Sequence, residues 1–237
     1  MTKDKDAIGA AILDFAQHQK ASDIIVSSDI CDDDVIPVAY LFRSFDEMPE
    51  LEKIALNHCV GSVLEVGAGA GMHAKELIKK GHTVTPIDIS PGAVEYMRSQ
   101  SIPAQELDFN LIKDQQFDTV LLLMNGLGIA QNLNSLESFL RHAQSCLKEH
   151  GKIICDSTNV MYLYEDDEGG MWMDLNSEYY GDFKFKMSYN SVETDWFDWL
   201  YVDYNTLVEK ASNIGLNVHL LFEDEEHYLV ELTKKNT

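Results

Sequence analysis

Residues 63–71 read Val-Leu-Glu-Val-Gly-Ala-Gly-Ala-Gly, and no other stretch of the 237 residues restricts the fold as much. Val63, Leu64 and Val66 suit a buried strand. The alternating Gly67, Gly69 and Gly71 let the main chain turn sharply and let a ligand approach backbone atoms. Glu65 sets a carboxylate beside that turn, where a phosphate is repelled and a cation attracted. A dinucleotide fingerprint would read G-x-G-x-x-G and set a pyrophosphate on the next helix N-terminus. The spacing here is G-x-G-x-G, so a ligand carrying an ammonium or sulfonium group fits better.

The rest of the chain supplies an alternating pattern. Residues 4–19 have helical spacing, with Ile8, Ile12, Phe15 and Ala16 on one face. Residues 21–38 have no clear period and contain Asp32, Asp33 and Asp34. Neighbours on an extended chain point to alternating sides, so this run is not expected to hold a metal ion. Pro49 opens a helix to residue 57. Strands are predicted at 62–66, 83–87, 102–107 (weakly), 117–124 and 153–157. Helices are predicted at 72–80, with Leu77 and Ile78 inward, and at 91–99 and 133–147. Ser90-Pro91 reads as a cap followed by the first helical position. Such alternation implies a parallel sheet covered on both faces. After residue 158 the chain turns rich in aromatics and acids, Trp172 and Trp199 among them, and 183–187 alternates with period two. An inserted β-hairpin is expected there, followed by a helix at 205–214 and a closing antiparallel hairpin, 216–222 and 228–232.

These residues carry a resemblance. Glu65 to Gly71 matches in full the first motif, [D/E]-x-G-x-G-x-G, of the class I S-adenosylmethionine (SAM)-dependent methyltransferases. Ile87-Asp88-Ile89-Ser90-Pro91 and Phe117-Asp118-Thr119-Val120 are also worded as in that family, and the likeness runs from about residue 63 to 159. It implies an α/β, doubly wound, mostly parallel seven-stranded sheet of Rossmann-like form, with a C-terminal antiparallel hairpin. Residues 51–237 would form the SAM-binding domain, with an inserted substrate-covering segment at about 160–203. Residues 1–50 would be a helical or irregular flank packing over the site. Cofactor contacts would come from Glu65, Gly67, Ala68, Gly69 and Gly71, then from Asp88 and Ile89, where Asp88 accepts the ribose hydroxyls. Asp108 would accept the adenine N–H while Phe109 packs on the ring. The backbone of Met124 and Asn125 would take the amino-acid part. His73 is expected on the surface, with contact to the SAM carboxylate as its alternative role, and Asp156 either faces the substrate or caps its turn.

Methyl transfer from a sulfonium is a direct displacement, so the protein mainly positions a nucleophile. The acceptor is expected to be a small molecule with an N or O nucleophile. His142, Asp156, Tyr162 and His227 are base candidates by location alone, and none is selected. The family's [N/D]-P-P-[F/Y/W] signature for amino-group targets is absent; the chain has Asn125-Gly126-Leu127-Gly128. With 18 basic and 40 acidic residues the net charge is −22, which disfavours nucleic acid as a partner. The excess lies in the flanks: residues 51–150 carry 11 acids against 8 bases, residues 151–237 carry 18 against 6. The four cysteines form no C-x-x-C pair, and no apolar run has membrane-spanning length, so a cytoplasmic protein is expected. A SAM-binding module or partner subunit without catalysis is the main alternative. An NAD-dependent oxidoreductase or an aminopropyl transferase fits less well.

Overall fold

The computed structural model describes residues 1–164 and 179–235. Helix α1 (Ala7–His18) begins under an Asp6 cap and leads to two short strands, β1 (Ile24–Ser28) and β2 (Asp34–Ile36). Helix α2 (Glu50–His58) starts after Pro49, which stands at its N-cap. The alternating part follows: β3 (Ser62–Val66), α3 (Met72–Lys79), β4 (Thr83–Asp88), α4 (Pro91–Ser99), β5 (Gln105–Glu106), β6 (Phe117–Leu122), α5 (Leu133–Ser145) and β7 (Leu147–Thr158). Then come β8 (Asp182–Tyr189), β9 (Val192–Glu193), β10 (Phe197–Leu200), α6 (Tyr204–Asn213), β11 (Leu216–Glu223) and β12 (His227–Lys234).

Seven strands form the main sheet in the order β11-β12-β7-β6-β3-β4-β5. The pairs β3–β4, β3–β6, β4–β5 and β6–β7 are parallel, while β12 and β11 close the sheet antiparallel. This is the doubly wound, mostly parallel sheet expected from the alternation. Adjacent strand residues point to opposite faces, and both faces are buried here. Leu64, Val120 and Leu122 therefore pack into one cluster with Leu136 and Leu140 of α5. Val63 and Leu121 pack into another with Leu56, Leu77 and Met97 of α2, α3 and α4. Strand order reverses beside β3, which is where open α/β sheets offer a crevice.

Three local expectations are corrected. Ile78 is 40 % exposed instead of inward, because Leu77 and Ala74 already fill the α3 face toward the sheet. The strand expected at 102–107 shrinks to the two residues of β5. Ile102 and Ala104 are buried in the core, and Pro103 between them has no N–H to give a ladder. Residues 21–38 hold two strands, although they show no period of their own.

Those strands explain the insertion. The hairpin expected after residue 158 is not free-standing: β8 pairs with β10 on one side and with β1 on the other, giving a second sheet in the order β10-β8-β1-β2. Its aromatic residues make their own core, with Phe183 and Phe185 buried against Phe197, Trp199 and Tyr201. Tyr162 and Trp196 remain exposed, and Trp172 lies outside the described residues. Among the described residues no helix is long and apolar enough to cross a membrane.

Candidate active site

The turn after β3 is built by its glycines and by the strand beside it. Gly67 and Ala68 both donate their N–H groups to the Ile87 carbonyl, at 3.0 and 3.1 Å, and Gly69 N–H donates to Asp88 Oδ2 at 2.8 Å. Gly69 and Gly71 have φ of +54° and +76°. A Cβ on Gly69 would meet nothing within 4 Å among the described residues. A Cβ on Gly71 would lie 2.7 Å from Met97 Cγ, so that position is closed by the core. The turn forms one wall of a narrow cleft whose other lining includes Leu41, Arg43, Glu65, Met72, His73 and Met124. A larger groove, about 1160 Å³, lies between α1, residues 37–43 and the end of α4; it shares only Arg43 with this cleft and does not touch the glycine turn.

Behind the turn runs a buried line of alternating charge. Arg43 Nη2 pairs with Glu52 Oε1, and Glu52 Oε2 lies 3.0 Å from His73 Nε2. His73 Nδ1 stands 3.5 Å from Glu65 Oε1, close enough for ionic attraction but without a hydrogen bond. All four residues are buried. His73 is thus not the surface histidine expected from its place in the first turn of α3. The sequence offered no sign of this, because Glu52 and Arg43 reach it from other elements. Burial pushes the His73 imidazole down, but the two carboxylates outweigh it and lift its pKa to about 9. Burial likewise pushes Glu52 up, and His73 and Arg43 overcome that and hold it below its ordinary value. Glu65 differs from its neighbours: both carboxylate oxygens are buried and accept no hydrogen bond among the described residues. Arg43 Nε is also buried with no partner among the described residues, while its Nη1 donates to the Tyr40 carbonyl at 2.6 Å.

Asp88 sits beside the turn. One oxygen takes the Gly69 N–H and the other takes the Ser90 N–H at 2.8 Å. Burial raises its pKa despite these two donors. Ile89 next to it is 47 % exposed. At the end of β6, Met124 and Asn125 have consecutive positive φ values of +61° and +57°, a costly pair for residues with side chains. The holder is Asp156 of β7, which accepts the N–H groups of Asn125 at 3.1 Å and Gly126 at 3.4 Å. Burial lifts Asp156 to about 6. Of the two roles left open for it, the structure gives Asp156 the loop-holding one.

Glu65, Gly67, Ala68, Gly69 and Met124 therefore line one cleft, with Asp88 bonded to its edge and Gly71 beneath it. Asp108, Phe109 and Asn125 do not line it. Asp108 is exposed and its Oδ1 takes the Asn110 N–H at 2.8 Å. The Phe109 ring was expected to face a ligand but is 2 % exposed, packed edge-on against Phe139 and His142 in the core. Its position as the first residue of the short helix Phe109–Leu111 turns it toward α5. The base candidates are scattered. His142 bonds to the Phe109 carbonyl, and His227 pairs with Asp224 in the exposed β11–β12 turn. Arg43 and Glu52 are the site residues that spacing did not reveal.

A family model described as a methyltransferase domain matches residues 63–151. Demethylmenaquinone methyltransferase of Tropheryma whipplei is 30 % identical over 98 residues, a stretch that spans 39 % of this chain and 39 % of that relative. The CcbJ methyltransferase of Streptomyces caelestis shares the fold at 14 % identity, with a TM-score of 0.59 over 81 % of this chain and 95 % of its own. A SAM-dependent methyltransferase from Bacteroides fragilis, solved in complex with S-adenosyl-L-homocysteine, superposes with a TM-score of 0.93 at 39 % identity and covers 100 % of this chain and 98 % of its own. With that likeness running along its whole length, the chain belongs to the SAM-dependent methyltransferase family.

Proposed function

We propose that the protein transfers a methyl group from SAM to a small-molecule acceptor through an N or O nucleophile. The observation that carries the reading is Glu65: a carboxylate buried in a cleft wall that has the His73 ring as an ionic neighbour, 3.5 Å from Oε1, but accepts no hydrogen bond on either oxygen among the described residues. Leaving such a group unsatisfied costs about 1–3 kcal/mol or more, so the site calls for a ligand that brings donors. The ammonium of SAM supplies them. Arg43, whose Nε is equally unpartnered on the same cleft, suits the carboxylate at the same end of the donor. Asp88, with a lone pair left on each oxygen, suits the ribose hydroxyls, and the open face of Gly69 leaves room for the donor's approach. Ile89 and Met124, both exposed apolar side chains, suit its adenosine and methionine carbons. Asp108 is retained as the adenine N–H acceptor, whereas Phe109 would contribute only main chain.

The bound donor supplies an activated methyl group on sulfur. The chain's own part is to desolvate and orient. Asp156 fixes the strained loop at Met124 and Asn125 opposite the glycine turn, and the buried line from Arg43 to Glu65 keeps the Glu65 carboxylate in place. The acceptor is read as small because the excess acid of both flanks disfavours nucleic acid. The relative named for demethylmenaquinone, a small molecule, adds support. Calorimetric titration with SAM, S-adenosylhomocysteine and NADH tests the donor, and the expected result is binding of the first two alone. A screen of amines, phenols and carboxylates with labelled SAM tests the acceptor. Tight NADH binding with silence toward the other two sinks the donor reading. Donor binding without transfer to any acceptor class favours a binding module.

A further inference from the structure

One carboxylate outside the cleft joins two helix starts. Asp6 is 3 % exposed. Its Oδ1 accepts the Gly9 N–H at 2.8 Å and so caps α1. Its Oδ2 accepts the Ser90 hydroxyl and the Gly92 N–H, each at 2.9 Å. Gly92 N–H is one of the donors that the start of α4 leaves without a helical acceptor, and Ser90 Oγ takes the Ala93 N–H at 3.0 Å. Asp6 therefore completes the cap of α4 from a distant part of the chain.

The two helices are close enough to make this contact specific. A Cβ on Gly92 would lie 2.7 Å from the main chain of Gly9. A Cβ on Gly9 would lie 2.1 Å from Asp6 Oδ2 and 2.6 Å from Ser90 Oγ. Ser90 is the junction, since its O–H goes to Asp6 and its N–H goes to Asp88. Asp88 in turn holds the Gly69 N–H of the glycine turn. A continuous series of hydrogen bonds of 2.8–2.9 Å thus runs from the start of α1 to the cleft wall.

We propose that Asp6 is a positioning residue that couples docking of α1 on α4 to the setting of Asp88 and Gly69 in the donor site. The proposal rests on the donor-site reading above. α1 itself does not line the cleft, so its effect is transmitted through Ser90. Two discrete states follow: α1 docked with Asp88 held, or α1 released with the Ser90 hydroxyl and Gly92 N–H left to water.

The decisive variant is Asp6→Ser. Serine caps a helix as well as aspartate does, so α1 keeps its Gly9 bond, but the shorter side chain cannot also span to Ser90 and Gly92. We expect S-adenosylhomocysteine to bind roughly tenfold more weakly, within the range of ordinary coupling between sites. The donor KM should rise with kcat at saturating donor nearly unchanged, while the melting transition stays cooperative. Wild-type protein gives a second measurement that does not depend on the variant folding. Coupling is reciprocal, so S-adenosylhomocysteine should slow hydrogen exchange in α1 as well as at residues 67–71. Unchanged affinity in Asp6→Ser overturns the proposal, as does α1 exchange that ignores a bound ligand. Wild-type protein that binds no S-adenosylhomocysteine overturns the donor-site reading itself and the proposal with it, so the two failures are told apart.

Discussion

His73 carries the most consequential charge of the site. It lies between Glu52 and Glu65 and keeps its proton up to about pH 9, whereas an unfolded histidine releases it near 6.5. Unfolding at intermediate pH therefore releases a proton. The stabilisation from this group is full below about pH 6.5 and is lost as pH rises through 9. Denaturant titrations across that window should show stability falling in the wild type. His73→Ala should lose about 3–5 kcal/mol at pH 6.5, because two buried carboxylates lose their shared cation, and the fall between pH 6.5 and 9 should disappear. A variant that keeps the wild-type slope would show the proton sits elsewhere. Asp88→Ala should weaken S-adenosylhomocysteine binding by about 1–3 kcal/mol, read by calorimetry. Some loss of stability should accompany it, since Gly69 and Ser90 lose their acceptor.

At the scale of elements, the glycine turn separates two jobs that the motif presents as one. Gly71 at φ +76° is closed in by Met97 and Ile102, so Gly71→Ala adds a clash to backbone strain. Its expected effect is a drop in stability exceeding the roughly 1–2 kcal/mol of a left-handed alanine alone. Gly69 at φ +54° faces open space, so Gly69→Ala should cost only that backbone term while its methyl group intrudes on the cleft. Thermal melts paired with calorimetry distinguish them: Gly71→Ala should fail mainly in the melt, Gly69→Ala mainly in binding. Equal losses on both readouts in both variants would refute the division. The loop after β6 shows the complementary device, in which Asp156 holds two non-glycine residues in left-handed conformation. Asn125 is a residue type that tolerates positive φ, but Met124 gives no hint of it in the sequence.

For the whole molecule, the question is how the second sheet is held to the first. Trp199 of β10 rests on Gly128, in the segment that follows β6 and Asn125. A Cβ on Gly128 would lie 2.1 Å from the indole. Gly128→Ala should force Trp199 out, with a cost of about 1–3 kcal/mol for overpacking and a red shift of tryptophan emission. Unchanged emission and stability would mean the two sheets are not joined there. The second sheet also draws the ends of the chain's order together: β1 and β2 from the N-terminal flank complete a sheet whose other strands come after β7. The flank and the insertion are thus one layer; from the flank Arg43 lines the cleft, whereas Asp6 is linked to it only through Ser90 and Asp88.

The sequence by itself determined the alternating strands and helices of most of the main sheet and the glycine turn. Each rests on local pattern: continuous apolar runs for strands buried on both faces, spaced glycines where the backbone needs φ above zero, Ser90-Pro91 at a helix start. Tertiary structure decided what no window of sequence contains. β1 shows no clear period because Val26, Ser27 and Ser28 are all half-buried, and only pairing with the distant β8 makes it a strand. His73 acquires its charge from carboxylates on α2 and β3, and Asp6 meets Ser90 only once α1 lies across α4. Hydrophobic periodicity is a property of neighbouring residues, whereas pairing of buried charges is a property of which surfaces the fold brings into contact, and this site depends on both.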